Sequence, residues 1–288
     1  MSRALLSESI EDAAWFPEAA IGIDAGLTLT KVALRQGDAL LLTAWLTRSI
    51  GDAVSIVQRG GETPPVAAVT GARAHLIVST DAVPVAEIDA GARGVSALRA
   101  LEGEPPAEPF VLALMGTGTA FALVRDEAVT HLGGTAMGGG SFAGIARWFD
   151  ATLTYEEMIG RASRGDRRKA DVMLSDAYPE GIGRLGAGGE LTAAHLAKDG
   201  GSLDDALAAL LNMHGENIAQ IAAGRALAAG ARRVVIAGGF VHGNQMLTRS
   251  MSAMIRMFGL EAEVAPHPGF AGAVGAALLA HEQRRATA

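Results

Sequence analysis

The sequence predicts an α/β protein of two lobes, each built on a mixed sheet that is flanked by helices. Two observations support this class. A buried apolar strand is followed by a turn of small and hydroxyl-bearing residues twice, first at 24–31 and again at 116–119. After each turn, further apolar strands and then segments with helical periodicity follow, which is the order of layered α/β domains. With 288 residues, of which 49% are hydrophobic, the chain is long enough for two medium-sized cores.

We expect three regions along the chain. Residues 1–18 are predicted to form an acidic leader whose one aromatic pair docks on the body. Residues 19–105 form the N-terminal lobe, and a proline-rich stretch at 103–109 marks its end. Residues 106–288 form the C-terminal lobe, with a helical insertion at about 150–230 and a last helix that packs across the lobes.

The first turn joins apolar strands at 19–23 and 32–34 and contains a carboxylate, an ammonium group, two threonines and an Ala-Gly step. Such a turn suits a polyphosphate, because backbone N–H groups can come close to anionic oxygens and a carboxylate can hold a hydrated metal ion. Lys31 is one of only three lysines in the chain, which favours a specific role beside the phosphates. The candidate phosphate-binding residues are Asp24, Ala25, Gly26, Leu27, Thr28, Leu29, Thr30 and Lys31.

Apolar runs, and the glycine and proline residues that interrupt them, predict the other strands and helices of the first lobe. Glu87 lies near the carboxyl end of a predicted strand, where open α/β sheets place their ligands, so it is a candidate site residue. The alternative is a glutamate on an edge strand that faces water. Asp89 is expected to cap the helix that follows. Strands are predicted at 39–46, 65–69 and 83–88, and helical segments at 51–59, 72–78 and 90–101.

The second lobe repeats this plan, with a strand at 110–115 that runs into the turn at 116–119. A glycine-rich run at 133–141 leads into a helix at 142–149, and such a helix start can bind an anion; the alternative is a flexible hinge. A double glycine at 238–239 lets a flat adenine lie against the backbone. Further strands are predicted at 120–125, 128–132, 232–237 and 261–265, and helices at 154–161, 166–177, 191–198, 202–229, 244–258 and 269–281.

The long helix at 202–229 carries an apolar stripe, which suits either a core or an interface between subunits. His214 lies on this stripe, and we expect it to be a core histidine with satisfied hydrogen bonds and not a ligand. The stripe includes Leu203, Leu207, Leu210, Leu211, Ile218 and Ile221.

Composition and motifs exclude several other classes. The formal net charge is −7, so no overall positive field attracts nucleic acid or an acidic membrane. The absence of cysteine removes thiolate chemistry and suits the cytoplasm. No glycine is followed by lysine, and the Gly-x-Gly-x-x-Gly match at 181–186 follows no buried strand, so neither a P-loop nor a dinucleotide fingerprint is present. A basic cluster at 161–169 suits a solvated helix face, or a site for a second phosphate or a CoA-like effector.

Several short motifs occur in one order along the chain, namely GIDAG at 22–26, EIDA at 87–90, MGTGT at 115–119, the glycines at 133–134 and 138–140, Gly165-Asp166, LTAA at 191–194 and FAGAVGA at 270–276. On these residues the chain resembles the type II pantothenate kinases, ATP-dependent kinases that open coenzyme A synthesis. The likeness extends from about residue 22 to 279. It implies the actin-like (ribonuclease H-like) ATPase fold, ATP and Mg²⁺ as cofactors, a pantothenate-like substrate, a homodimer, and CoA or acyl-CoA as an effector.

The resemblance also implies roles for individual residues. Asp24 would hold Mg²⁺ through water, the rest of the 24–31 turn would hold phosphates, and Glu87 would be the general base that takes a proton from the substrate hydroxyl. Thr117 and Gly118 would meet the terminal phosphate. The nucleotide would be lined by Gly139, Gly140, Ser141, Phe142, Ala143, Tyr155 and Gly239, and the substrate pocket would include Ala120 and His131.

Three residues depart from the family pattern. Leu27 stands where a second glycine is usual, which makes the turn bulkier. Ala120 replaces a serine, and His131 replaces an arginine two positions before a Gly-Gly pair. Histidine is only partly charged near neutral pH, whereas arginine grips an anion with a fixed fork. We therefore expect the catalytic glutamate to be kept while the substrate pocket is altered.

The sequence leaves three hypotheses. The leading one is an ATP-dependent kinase for pantothenate or a similar alcohol. The second is an actin-like kinase for another hydroxyl compound, such as a sugar. The third is a regulatory protein that binds a nucleotide or acyl-CoA and retains only vestigial catalysis.

Overall fold

The computed structural model describes residues 5–18, 20–47, 66–77, 82–103, 108–179 and 190–287. In this part of the chain, the backbone forms a six-stranded sheet, a five-stranded sheet and a two-stranded ribbon, with helices packed on the two larger sheets. The predicted helix at 51–59 and the glycine-rich match at 181–186 lie outside the described residues.

The N-terminal sheet has the strand order β1-β4-β3-β2-β5-β6. Its first four strands in this order pair antiparallel, and β5 and β6 continue from β2 in parallel. The strands are β1 Leu6–Ile10, β2 Ala20–Ala25, β3 Leu29–Gln36, β4 Ala39–Leu46, β5 Val66–Thr70 and β6 Val83–Pro84.

The first strand lies within the predicted acidic leader, where the sequence predicts no strand. Residues Leu6–Ile10 pair antiparallel with β4 and form the edge of the N-terminal sheet. Leu6 and Ile10 are four residues apart on one face of this strand and pack against the core. Together with Glu8 between them they show a period of two, which is the sequence signal for a strand. The predicted docking of the aromatic pair is confirmed for Phe16, which is fully buried.

The segment around Glu87 also differs from the prediction of a strand at 83–88. Only Val83–Pro84 joins the sheet, and Glu87 is the first residue of helix α1, Glu87–Leu101. Acidic residues are favoured in the first turn of a helix, where they meet the positive end of the helix dipole, and Glu87 and Asp89 both lie there. Ala86, and not Asp89, occupies the N-cap position.

The C-terminal sheet has the strand order β13-β12-β7-β8-β9. Strands β7, β12 and β13 are parallel to one another, whereas β8 and β9 continue antiparallel from β7. The strands are β7 Phe110–Met115, β8 Thr119–Arg125, β9 Ala128–Thr135, β12 Arg233–Ala237 and β13 Glu261–Val264, and the separate ribbon consists of β10 Val172–Met173 and β11 Thr192–Ala194.

This ribbon takes the place of most of the predicted helix at 166–177, of which only Leu174–Ala177 is helical, and of the predicted helix at 191–198. In the first, Asp166 accepts a hydrogen bond from the backbone N–H of Arg168 and caps a single 3₁₀ turn, after which Val172–Met173 pairs with Thr192–Ala194. The pairing joins segments about twenty residues apart, so local helix propensity yields to a tertiary partner.

The helical segment predicted at 72–78 is only a single 3₁₀ turn, Ala74–Leu76. The remaining helices overlap the predicted ranges, and capping residues set several of their ends. Ser202 accepts a hydrogen bond from the backbone N–H of Asp205 at the start of the longest helix, and Gly230 in the left-handed conformation (φ 69°) ends it. After α1, the helices are α2 Gly139–Phe149, α3 Tyr155–Ala162, α4 Leu174–Ala177, α5 Leu203–Ala229, α6 Gln245–Met257 and α7 Ala271–Thr287.

The apolar stripe of α5 lies in the core of its own chain. Leu207, Leu210, Leu211 and Ile218 are fully buried against the C-terminal sheet and its helices. The stripe is therefore explained by packing within one protomer, and it does not by itself argue for a dimer. Among the described helices, none combines the length and the hydropathy that crossing a membrane requires.

Helix α7 lies against the N-terminal sheet with no side chain between the two backbones. A Cβ atom on Gly22 of β2 would lie 1.7 Å from the carbonyl oxygen of Ala273. The contact between α7 and α1 is equally close, because Cβ atoms on Gly94 and Gly275 would lie 1.9 and 1.8 Å from backbone oxygens of the other helix. Val274 of α7 belongs to a core that also includes Leu112 and Val235 of the C-terminal sheet. The domain boundary near residue 105 stays a prediction.

A side chain at the α1–α7 contact should force the helices apart. We expect Gly94→Val to lower the free energy of unfolding by about 1–3 kcal/mol, because it overpacks a backbone-to-backbone contact. Gly224→Ala in α5 is the control: nothing lies within 4 Å of its Cβ position, so the change should be neutral or raise stability by up to about 1 kcal/mol. Urea denaturation measures both, and equal effects would contradict the close contact.

Candidate active site

The first charged pair of the site spans the opening hairpin. Asp24 on β2 faces Lys31 on β3 in the strand register, and Lys31 Nζ donates a hydrogen bond of 2.8 Å to Asp24 Oδ2. The two side chains are only 13% and 11% exposed, respectively. A lysine and a carboxylate are thus held together, nearly out of solvent, at the mouth of the predicted phosphate turn.

Two hydrogen bonds hold the turn between β2 and β3, one within its own backbone and one from Thr47, the residue after β4. Gly26 N–H donates to the carbonyl oxygen of Leu29 at 3.1 Å, and Thr47 Oγ1 donates to the carbonyl oxygen of Gly26 at 2.7 Å. Thr30 is fully buried and hydrogen-bonds Thr47, so its hydroxyl serves the fold. Leu27 is 48% exposed, so its side chain points outward and does not fill the turn.

Glycines make room around Asp24. A Cβ on Gly71 would lie 2.7 Å from Asp24 Oδ1, and one on Gly272 would lie 3.1 Å from Asp24 Oδ2. Gly71 also has a φ of +91°, which residues with a side chain rarely adopt. Sequence reasoning did not assign either glycine to the site, although the Thr-Gly step after β5 and the glycine at the start of α7 were visible signals.

Glu87 joins this pair at the amino end of α1. Solvent reaches its side chain, yet loss of part of its hydration raises the pKa of the carboxyl, the Asp24 charge raises it further, and Lys31 lowers it. Because both partners influence Glu87, the three charged groups form one electrostatic cluster. A carboxyl with a raised pKa is a better proton acceptor than an ordinary one, which suits a general base.

In the C-terminal lobe, the turn after β7 and the start of α2 are hydrogen-bonded to each other. Gly139 and Gly140 donate their N–H groups to the carbonyl oxygens of Gly116 and Thr117, both at 2.9 Å. These two N–H groups therefore hold the turn and are not free to bind an anion. Thr117 is exposed, and Gly118 lies tightly against the backbone of β9.

The two lobes meet where Lys31 reaches the double glycine. A Cβ on Gly239 would lie 3.5 Å from both Cε and Nζ of Lys31. Gly238 has a φ of +109° and packs on the backbone of Met115, to which Phe240 N–H also donates at 3.0 Å. The structure thus brings Lys31, Gly239 and the turn after β7 together, although they are far apart in sequence.

The other predicted nucleotide-lining residues divide between the core and the surface. Phe142 is fully buried and packs edge-on against His214, so its side chain faces the core. Ala143 is nearly buried, whereas Tyr155 is partly exposed and contacts Phe142 edge-on, and burial raises the pKa of its phenol.

His214 is a core histidine, as expected. Its Nδ1 lies 2.9 Å from the carbonyl oxygen of Leu210, and its Nε2 lies 2.9 Å from Ser141 Oγ. Burial lowers the pKa of the imidazole, so the ring is neutral. The carbonyl assigns the proton to Nδ1, which leaves Nε2 to accept the Ser141 hydroxyl. Ser141 is thereby held at the start of α2.

The two predicted pocket residues lie on neighbouring strands but do not face each other. Ala120 pairs with Gly134, whereas His131 pairs with Ala122 beyond an irregularity in the ladder. His131 is exposed on β9, the edge strand of its sheet.

The described residues contain no group of three or more His, Cys, Asp or Glu side chains that could hold a metal ion. Cavities of about 340 and 300 Å³ lie elsewhere, one beside Trp15, Arg35 and Arg93 and the other beside Glu216 and Met254, and neither includes Asp24, Glu87 or Thr117. Within the candidate site, Asp24 is the carboxylate placed to face a hydrated ion.

Comparisons with known proteins show the family of the chain. The profile of the Fumble family matches residues 98–279. The type II pantothenate kinase of Oceanobacillus iheyensis is 30% identical over 266 residues, which cover 90% of this chain and 98% of that protein.

Solved structures show the fold. The activator of 2-hydroxyisocaproyl-CoA dehydratase from Clostridium difficile, with bound ADPNP, superposes with a TM-score of 0.61 at 19% identity, covering 93% of this chain and 96% of that one. Glucokinase from Balamuthia mandrillaris in complex with glucose superposes with a TM-score of 0.58 at 13% identity, covering 91% and 93%. The predicted two-lobed actin-like fold is confirmed. The chain belongs to the Fumble family, the family of the type II pantothenate kinases.

Proposed function

We propose that this chain is a kinase that transfers the γ-phosphoryl group of ATP to the hydroxyl of pantothenate, with Glu87 as the general base. Family membership supports the ATP-dependent reaction and its substrate. One observation supports the assignment of residues: Glu87, Asp24 and Lys31 form one cluster, and Lys31 also reaches Gly239 of the other lobe. Phosphoryl transfer requires mainly positioning and charge neutralisation, which such a cluster supplies.

In this proposal the phosphates of ATP lie between the turn after β2 and the turn after β7. Lys31 offers a cation on one side, and Thr117 an exposed hydroxyl on the other. The glycines at 238 and 239 leave backbone without side chains for the adenosine. Since Gly139 and Gly140 donate their N–H groups to the turn, we assign them to shaping this wall and not to direct phosphate contact.

Mg²⁺ fits the residues present. It usually keeps several waters and takes one or two carboxylates together with substrate phosphates. The Asp24 carboxyl lies between two glycines where a Cβ would collide with its oxygens, so a hydrated ion could be held there while Lys31 fixes the carboxylate. The bound ion would neutralise phosphate charge.

In the proposed step, Glu87 accepts the proton that the substrate loses, and ADP is the leaving group. The hydroxyl oxygen of pantothenate attacks the γ-phosphorus, and its proton passes to the Glu87 carboxylate. The bond between the γ-phosphorus and the oxygen that bridges it to the β-phosphate breaks, and ADP leaves. The raised pKa of Glu87 makes its carboxylate a better proton acceptor, while the Lys31 charge acts in the opposite direction and lowers that pKa.

The alternatives have less support. The likeness to glucokinase concerns the fold alone and names no sugar for this chain. The hypothesis of vestigial catalysis was suggested by Leu27 and His131. The Leu27 side chain is exposed and does not fill the turn, so this residue does not argue against catalysis. The homodimer, the CoA or acyl-CoA effector and the cytoplasmic location stay predictions. Light scattering would measure the oligomeric state.

Replacing the proposed base should remove turnover and leave nucleotide binding. We expect Glu87→Gln to lower kcat with pantothenate by about 100-fold or more, because general-base catalysis typically contributes that much. Coupled ADP release measures the rate, and calorimetry with ATP measures binding.

The control is Glu102→Gln at the other end of α1, an exposed glutamate outside the cluster. It should keep the parent rate. If Glu87→Gln kept it as well, the assignment of the base would be wrong. A panel of pantothenate, pantetheine and sugars identifies the substrate, and turnover of a sugar in preference to pantothenate would refute the proposed function.

The neighbours of Glu87 should move its titration in opposite directions. Activity needs the ionised carboxylate, so kcat/KM falls as pH drops through the raised pKa of Glu87. Lys31→Met removes a charge that lowers this pKa and should move the acid limb to higher pH. Asp24→Asn removes a charge that raises it and should move the limb to lower pH. Normalised pH–rate profiles test this, and shifts in the same direction would contradict it.

A further inference from the structure

Glu8 on β1 lies between two histidines from loops that follow β12 and β13 of the C-terminal sheet. Its Oε2 is hydrogen-bonded to Nδ1 of His267, and its Oε1 lies 3.4 Å from Nε2 of His242. The three side chains are between 19% and 31% exposed, so each is partly shielded from solvent. A carboxylate offers only acceptors, so His267 Nδ1 is the donor. One carboxylate of the N-terminal edge strand thus holds two loops of the other sheet.

The two loops also contact each other beside Glu8. The loop after β12 carries the double glycine and then His242, and the loop after β13 carries His267 and then Pro268. Gly238 N–H donates a hydrogen bond of 2.7 Å to the carbonyl oxygen of Pro268. A Cβ on Gly269 would lie 3.1 Å from Cβ of His242. A displacement of either histidine would therefore displace the other loop as well.

Both loops reach the charged cluster of the candidate site. A Cβ on Gly239, in the first loop, would lie 3.5 Å from Lys31 Nζ. The second loop runs into α7, where a Cβ on Gly272 would lie 3.1 Å from Asp24 Oδ2. The position of the two loops therefore determines how the proposed adenosine wall and the start of α7 face Lys31 and Asp24.

The backbone of His267 needs support from outside its loop. Its φ is +44°, and it lies between Pro266 and Pro268. A residue with a side chain rarely adopts this left-handed conformation, and such conformations persist only where surrounding interactions hold them. The hydrogen bond to Glu8 is one such interaction, and another is the bond of 2.9 Å from Phe270 N–H to the His267 carbonyl oxygen.

We propose that Glu8 is a positioning residue for the nucleotide, acting through His242 and His267 on the loops that flank the adenosine; this rests on the proposed function. The role is indirect, because Glu8 fixes the loops and does not itself take part in phosphoryl transfer. Glu8 precedes the part of the chain that resembles the family, which begins at about residue 22, so no family motif assigns it a role.

The test measures ATP affinity and substrate kinetics separately. Glu8→Gln keeps the size of the side chain but replaces the carboxylate with a neutral amide, which holds the histidines more weakly. We expect it to raise the Kd for ATP, measured by calorimetry, and the KM for ATP by about 10-fold. The kcat and the KM for pantothenate should stay within about twofold of the parent, because Glu87 and the substrate side of the site are untouched.

Two further variants separate the proposed contact from general effects. His267→Asn removes the imidazole, and asparagine tolerates the left-handed conformation, so it should weaken ATP binding to a similar extent. The double variant Glu8→Gln/His267→Asn should bind ATP about as weakly as the weaker single variant, because both changes break the same contact. Glu11→Gln, at an exposed position one residue beyond β1, is the control and should change none of these values.

Several outcomes would overturn the proposal. Unchanged ATP affinity in Glu8→Gln would refute it, and so would effects of the two single variants that multiply in the double variant. A joint rise in the KM for ATP and for pantothenate, or a fall in kcat with normal ATP affinity, would show a merely structural role. If the parent bound ATP but did not phosphorylate pantothenate, the proposed function would fail, and the calorimetric comparison would still decide the role of Glu8.

Discussion

The contact of helix α7 with strand β2 and helix α1 is the constraint on which the rest of the site depends. Glycines at 22, 94 and 275 let three backbones touch, since a Cβ at any of them would lie within 2 Å of a backbone oxygen. Asp24 follows two residues after Gly22, and Glu87 opens α1. Close backbone packing therefore fixes the position of Asp24 relative to Glu87, because closely packed backbones leave little room for movement.

Lys31 connects Asp24 of the N-terminal lobe with Gly239 of the C-terminal lobe. It neutralises Asp24 at 2.8 Å, lowers the pKa of Glu87 and lies beside Gly239. One cation thus serves two carboxylates and the proposed nucleotide site, which explains why a chain with few lysines has one here. Because the Asp24 and Lys31 side chains are largely shielded from solvent, their mutual attraction is screened less than that of a surface pair.

At the start of α2, the backbone N–H groups of two glycines bond the protein itself, whereas at a simple anion-binding helix start they would be free to bind the anion. The N–H groups of Gly139 and Gly140 are used to hold the turn after β7, and Ser141 is hydrogen-bonded to a neutral His214 in the core. The turn after β7 is thus held in place by hydrogen bonds to α2, and α2 is held by the hydrogen bond of Ser141 to His214 of α5. Such preorganisation is what positions a phosphate without reorganisation during transfer.

Local patterns by themselves determined the hairpin that carries Asp24 and Lys31, the buried strand Phe110–Met115 and the long helix at 202–229, because alternation, helical period and capping residues act over a few positions. Motifs in one order also determined the family. Tertiary structure decided that Leu6–Ile10 pairs with β4, that the strand before Glu87 ends at Pro84, and that Thr192–Ala194 pairs with Val172–Met173. It also decided that Lys31 meets Gly239 and that Glu8 meets His267. These contacts join residues more than a hundred positions apart, and no local preference records which distant partner the packed core will supply.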